Sequence, residues 1–238
     1  MRMRLKFNIA EPELDADFRV YFVSFFKKAL TEYRDGRLYD IYYAPAAQKP
    51  FTFAPILFGA QFDKDKLDVS KQRIDVVWST GDSAAGIDFY NAFHKQLRKD
   101  FLLPDSNAMC LQKIVLEHEQ NVDSDKISIH FLSPLCLRNH DKNSNKDMYL
   151  SSERAGFHQL CREIVSNQVK GTLTERSLEN FTIQPVQARK TVIRYHKGMI
   201  EASSGYFRLE GDPALLSFLY QYGIGSRRSA GFGCFNII

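Results

Sequence analysis

The run Gly223-Ile224-Gly225-Ser226-Arg227-Arg228-Ser229-Ala230-Gly231-Phe232-Gly233 concentrates residue types that handle anions. Gly223, Gly225, Gly231 and Gly233 permit positive φ and close backbone approach. Successive N–H groups in such a loop make an anion-binding concavity. Arg227 and Arg228 add charge at the same place, and a guanidinium pairs with phosphate through two parallel hydrogen bonds. The local reading is a loop that holds a phosphate backbone. The plain alternative is a glycine-rich turn between a helix and a terminal strand. The common nucleotide fingerprints are absent. No Gly-Lys-Ser/Thr is present, and the stretch before Gly223 reads as a helix, not the strand that a dinucleotide-binding motif requires.

The chain has 238 residues and a net charge of +4, which permits a nucleic-acid partner without demanding one. Its 19 Phe and 11 Tyr mostly fill cores, although some could stack on bases. Cys110, Cys136, Cys161 and Cys234 show neither metal-ligand spacing nor a disulfide framework. They read as buried thiols of a reducing compartment. The opening residues lack the apolar run of a signal peptide, and no segment is apolar for long enough to span a membrane. The expected location is the cytoplasm.

Several elements must position the glycine run. Met1 to Ile9 alternates strictly, with Arg2, Arg4 and Lys6 on the polar face of a half-buried strand. Residues 17–34 predict a helix with Phe18, Phe22, Phe25, Phe26, Ala29, Leu30 and Tyr33 on its stripe, capped by Asp15 or Asp17. Residues 35–49 read as a loop, residues 51–58 and 73–80 as strands, and residues 86–102 as a helix. On that helix Ile87, Tyr90, His94, Leu97 and Phe101 form the stripe, with His94 a core or boundary residue. A strand over 109–119 closes a βαββαβ unit, the ferredoxin-like order. The pattern then restarts: a strand from Ile127, a polar loop from Asn139 to Ser152, a helix over 153–169, two long strands over 181–196 and 199–210, a helix over 212–222, and a closing strand. The fold class is α+β, tandem ferredoxin-like, with halves 1–122 and 123–238.

Two ferredoxin-like halves ending in the doubled Gly-x-Gly resemble the repeat-associated RNA-binding proteins of CRISPR systems (the RAMP superfamily). More specifically, the chain resembles the CRISPR repeat-processing endoribonucleases. The likeness runs through Met3-Arg-Leu-Lys-Phe, Lys49-Pro-Phe-Thr-Phe-Ala, Phe131-Leu-Ser-Pro-Leu, Thr191-Val-Ile-Arg-Tyr-His-Lys-Gly, Gly205-Tyr-Phe-Arg-Leu-Glu-Gly and, above all, Gly223 to Gly233. The resemblance implies binding of CRISPR repeat RNA and metal-independent cleavage of precursor CRISPR RNA. A 2′-hydroxyl attacks the scissile phosphate, leaving a 2′,3′-cyclic phosphate and a 5′-hydroxyl. It implies no cofactor, with other CRISPR-associated proteins as possible partners; the expected assembly is a monomer or homodimer.

Many family members carry a histidine in the loop before the Lys-x-Phe-Thr-Phe stretch. Here that loop, Tyr42 to Lys49, has none, and the corresponding position falls on Tyr43. Lys49 matches a lysine of the family, and Lys27 or Lys28 lies where the first helix often supplies another active-site residue. Three readings stay open. Tyr43 works as the acid–base group with its pKa lowered by those lysines. Alternatively, positioning and charge from Lys49 and Arg227 or Arg228 suffice, at the loss of the factor of about 10²–10⁴ that a general acid or base contributes. Or the chain binds repeat RNA without cutting, as an inactive homologue or a structural subunit of an effector complex. A small-molecule or metal-binding regulator is a more distant class. For RNA contacts, Arg2, Arg4 and Lys6 suit a basic cleft between the halves. Arg189, Lys190, Arg194 and Lys197 give the 181–210 hairpin a basic character. His130, His140, His158 and His196 read as structural or solvated.

Overall fold

The computed structural model describes residues 1–45, 47–141, 145–196 and 198–238. In chain order the first half comprises β1 (Arg2–Ile9), β2 (Glu13–Asp15), α1 (Arg19–Thr31), α2 (Arg37–Tyr42), β3 (Thr52–Leu57), β4 (Ala60–Asp63), β5 (Lys66–Val69), β6 (Arg73–Ser79), α3 (Ser83–Lys95), β7 (Asp100–Leu102) and β8 (Ala108–Glu117). The second comprises β9 (Lys126–Phe131), β10 (Arg138–Asp141), β11 (Lys146–Tyr149), α4 (Phe157–Val169), β12 (Thr182–Tyr195), β13 (Gly198–Glu210), α5 (Pro213–Tyr222) and β14 (Phe235–Ile237).

The first sheet has the order β3-β6-β1-β8-β7, and the second β12-β13-β9-β14. Without the edge strand β7, each is the antiparallel 2-3-1-4 order of a ferredoxin-like unit. The tandem α+β fold expected from the pattern is therefore present. The alternation of β1 does what it dictates: Met3, Leu5, Phe7 and Ile9 are buried on the helix-covered face. There they meet Phe22, Phe25 and Phe26 of α1, with Phe7 and Phe25 edge to face at 5.1 Å. Phe51, Trp78, Phe89 and Phe93 extend this aromatic core, so most of the phenylalanines fill the interior. A second core gathers Ile129, Phe131, Phe157, Phe207, Leu216 and Phe235.

Some expectations are corrected. The buried face of α3 is Ala85, Phe89, Ala92 and Phe93, while Ile87 and His94 are exposed. The helix ends at Lys95, because Phe101 belongs to β7. With Leu97 and Phe101 removed, the two phenylalanines pull the stripe round to their own side. The N-cap of α1 is Phe18, with no side-chain cap. Asp17 instead accepts a hydrogen bond from the His196 N–H at 2.7 Å, across the halves. The loop before Lys49 contains α2, a β2-β5-β4 sheet lies beside the main one, and the 139–152 stretch carries the β10–β11 hairpin.

The halves share a polar seam. Arg2, expected to line a basic cleft between the halves, is 2% exposed; it donates to the Phe235 carbonyl at 3.1 Å and to Asn236 Oδ1 at 2.7 Å. Thr52 Oγ1 donates to the Phe232 carbonyl at 3.0 Å, and Ser133 Oγ to the Phe53 carbonyl at 3.2 Å. Ala54 and Val77, on the face of the first sheet away from its helices, pack against Cys234. The residues after α5 thus cover the first sheet's second face. All four cysteines are free, and no helix of the described residues is long and apolar enough to cross a membrane.

Candidate functional site

The glycine run lies in the seam, and its glycines are buried. Gly223, Gly225, Gly231 and Gly233 all have positive φ, between 71° and 95°. A Cβ on Gly233 would strike the Ile224 carbonyl, so the crossing of the two arms of the loop tolerates no side chain there. The crossing is closed by Ile224 N–H to the Gly233 carbonyl at 2.9 Å. Gln168 of α4 clamps the first arm. Its amide N–H donates to the Gly223 carbonyl, and its Oε1 accepts from Gly225 N–H, both at 2.9 Å.

This geometry corrects the anion-loop expectation. The N–H groups of Ile224, Gly225, Ser226, Gly231 and Gly233 donate within the protein, as does that of Ala230. They do not converge on a ligand. Arg228, expected to meet phosphate, is 8% exposed, and its guanidinium donates to the Tyr222 carbonyl at 2.7 Å and to Gln48 Oε1 at 3.0 Å. Burial lowers its pKa to about 10. It is a strut between the halves. Arg227, in the left-handed region at φ 58°, turns the other way. It donates to the Tyr149 hydroxyl at 2.8 Å and pairs with Asp147 at 3.3 Å.

Between the Ala47–Lys49 segment of the first half and Gly225–Ser229 of the second runs a groove of about 500 Å³. Lys49, Arg138, His140, Arg227 and Arg228 line it, with Asn167 and Gln168 of α4. Asp147, which does not itself line the groove, sits opposite His140 in the β10–β11 register. Asp147 Oδ1 is 2.8 Å from His140 Nδ1, and its Oδ2 is 3.5 Å from Arg138. The His140 hydrogen bond, followed by the two arginines and Tyr149, holds its carboxyl below the usual range.

The structure brings Tyr43, Lys27 and Lys49 together. Lys27 Nζ is 5.4 Å and Lys49 Nζ 5.8 Å from the Tyr43 ring centroid. The charge effect expected on Tyr43 is nevertheless corrected. Its hydroxyl is buried with no hydrogen-bond partner among the described residues, and burial drives the phenol's pKa well above its ordinary value. Lys49, which donates to the Pro45 carbonyl at 2.6 Å, is shifted down by partial burial and by Lys27. Lys28 is not part of this group: it lies over Phe101 at 5.5 Å and pairs with Glu32 at 3.8 Å.

The remaining predicted contacts lie elsewhere. Arg4 pairs with Glu117 at 2.6 Å and with Asp75 at 3.8 Å. Arg194 pairs with Asp65, which tethers the β12–β13 hairpin to the first half. Lys190 reaches Glu201 at 3.8 Å, and Lys197 lies outside the described residues. Arg138 had drawn no attention in the sequence, and His140 read as solvated. Their two-residue spacing places both on one face of a strand, but the polar run around them hid the hairpin. Among the described residues no group of three or more metal-ligating side chains occurs.

The family profile described as CRISPR associated protein Cas6, C-terminal, matches residues 117–237. A Cas6-related protein from Pyrococcus furiosus superposes with a TM-score of 0.84 at 19% identity, over 100% of this chain and 98% of that one. A RAMP protein that binds different RNA substrates gives 0.81 at 18%, over 100% and 99%. A Cas6 product complex gives 0.72 at 14%, over 100% and 99%. At these identities the superpositions speak for the fold alone. The sequence has no match among curated proteins. The profile spans just over half of the chain, including the whole second sheet and the glycine run, and the protein belongs to the CRISPR-associated Cas6 family.

Proposed function

We propose that this chain binds CRISPR repeat RNA and cuts precursor CRISPR RNA within the repeat, by attack of a 2′-hydroxyl on the adjacent phosphate without a metal ion. The observation that carries this reading is the groove between the halves, where Lys49 from one half faces Arg138 and Arg227 from the other. Family membership supplies the RNA class. The superposed proteins include one that binds different RNA substrates and one solved as a product complex.

The chemistry needs an aligned nucleophile, charge beside the phosphorane, and proton transfers at two oxygens. Lys49, shifted down by burial and by Lys27, is the group suited to protonate the leaving 5′-oxygen. Arg138 and Lys27 contribute charge. A second reading, RNA binding without cleavage, is favoured by Tyr43, whose buried phenol holds its proton where other members place a histidine. In either case the proposed setting is the cytoplasm, as a monomer or homodimer, with other CRISPR-associated proteins as partners.

Incubating the protein in EDTA with the repeat RNA of its own genome, beside an RNA with a 2′-deoxy nucleotide at the cut, tests both readings. One cut, lost in the deoxy RNA, is expected. Tight binding with no cut would leave the second reading.

A further inference from the structure

We infer that His140 is the general base of the groove, accepting the proton of the attacking 2′-hydroxyl, and that Asp147 is its positioning residue. The inference rests on the cleavage reading above and supplies the group that the first-half loop lacks. The β10–β11 register sets His140 directly across from Asp147, and Nδ1 lies 2.8 Å from Oδ1. The other carboxylate oxygen is engaged by Arg227 at 3.3 Å, the Tyr149 hydroxyl at 3.2 Å and Arg138 at 3.5 Å. Asp147 is therefore fixed in place and ionised, and an ionised carboxylate only accepts. Nδ1 must carry the hydrogen, which makes Nε2 the accepting nitrogen of the neutral ring. The ring side chain is 37% exposed and lines the groove that Lys49 lines from the other half.

The step balances as follows. The 2′-hydroxyl proton moves to His140 Nε2 as the bond from O2′ to phosphorus forms. The bond from phosphorus to O5′ breaks, its electron pair stays on O5′, and O5′ takes a proton from the Lys49 ammonium. The products are the 2′,3′-cyclic phosphate, the 5′-hydroxyl, an imidazolium stabilised by Asp147 and a neutral amine, and solvent exchange resets the last two. Among the described residues, the charged and titratable groups that share the groove with His140 or pair around it are Arg138 on its own strand, Asp147 and Tyr149 on β11, Arg227 and Arg228 on the glycine run, and Lys49 from the other half.

Single-turnover cleavage of repeat RNA in EDTA, at saturating protein and across pH, tests this with wild type, His140→Ala and Asp147→Asn. Saturation removes any effect on affinity. The expected result is a loss of about 10²-fold or more in His140→Ala, the order that a general base contributes. That variant should lose the acidic limb of the pH–rate profile and recover partly with added imidazole. Asp147→Asn should keep the acidic limb and lower the plateau rate, as loss of ring positioning would. Cleavage by His140→Ala within about threefold of wild type, with its acidic limb intact, would overturn the inference alone. So would a large loss with the limb intact and no response to imidazole, which marks a structural role. No cut by wild type would overturn the cleavage reading and this inference with it.

Discussion

Tyr43 shows how burial outweighs neighbouring charge for a single side chain. Two ammonium groups lie within 6 Å of its ring, yet its hydroxyl is desolvated and unpartnered, and the neutral form wins. Tyr43→Phe is expected to change repeat cleavage by less than about threefold, far below the loss of an acid–base group. It should leave stability unchanged or raised by up to about 1 kcal/mol, since it removes a buried unpaired hydroxyl. Lys49→Ala should slow cleavage at least about tenfold. A large rate loss in Tyr43→Phe would restore the tyrosine as an acid–base group. The arginines divide by the same logic. Arg228→Ala removes a buried donor to Tyr222 and Gln48 and should cost about 2–4 kcal/mol in denaturant unfolding, with the salt dependence of RNA binding unchanged. Arg138→Ala should reduce the slope of log K against log salt by about 1, as loss of one phosphate contact would. Equal slopes for Arg138→Ala and wild type would remove Arg138 from the RNA contact.

At the scale of elements, the long β12–β13 hairpin is held at several points along its length. In the first part of β13, Glu201 accepts from Ser151 Oγ at 2.7 Å and from Arg154 Nε at 3.2 Å, the residues that lead into α4. Hydrogen bonds from Arg154 and then from Ser151 lower its carboxyl from an ordinary 4.5 to about 2. Between these values the unfolded chain takes up a proton that the native state refuses. The stabilisation is therefore complete above pH 4.5 and is lost as pH falls toward 2. The melting-temperature gap between wild type and Glu201→Gln should be widest near neutral pH and close on acidification through that window. A gap independent of pH would show that Glu201 acts by packing. Nearer its tip, the hairpin is tied to the first half through Arg194–Asp65 and the His196 N–H on Asp17. Those charges thus hold the hairpin in place as well as giving it a basic character.

At the scale of the molecule, the two ferredoxin-like halves are joined by buried polar groups. Arg2, Arg19, Thr52, Ser133 and Arg228 each donate across the seam. Separating the halves would strand several of these donors and acceptors, at about 1–3 kcal/mol for each buried group left unpaired. Calorimetric unfolding is expected as one transition, and two resolved transitions would show that the halves fold independently. The sequence by itself determined the βαββαβ order repeated in the two halves and the buried face of β1. It also marked the two long strands of the hairpin and the importance of the glycine run. These follow from periodicity and from φ preferences, which are properties of adjacent residues. Only the tertiary structure decided which cations face the groove. Arg2, Arg4, Arg227 and Arg228 look equivalent in a string of letters. Two are struts sunk in the seam, one lies in an ion pair on the sheet, and one is aimed at Asp147. The His140–Asp147 pair emerged in the same way, from a strand register that sets residues seven apart opposite one another. Long-range packing sets the solvation and the partners of each charge, and solvation decides whether it binds, reacts or holds the fold together.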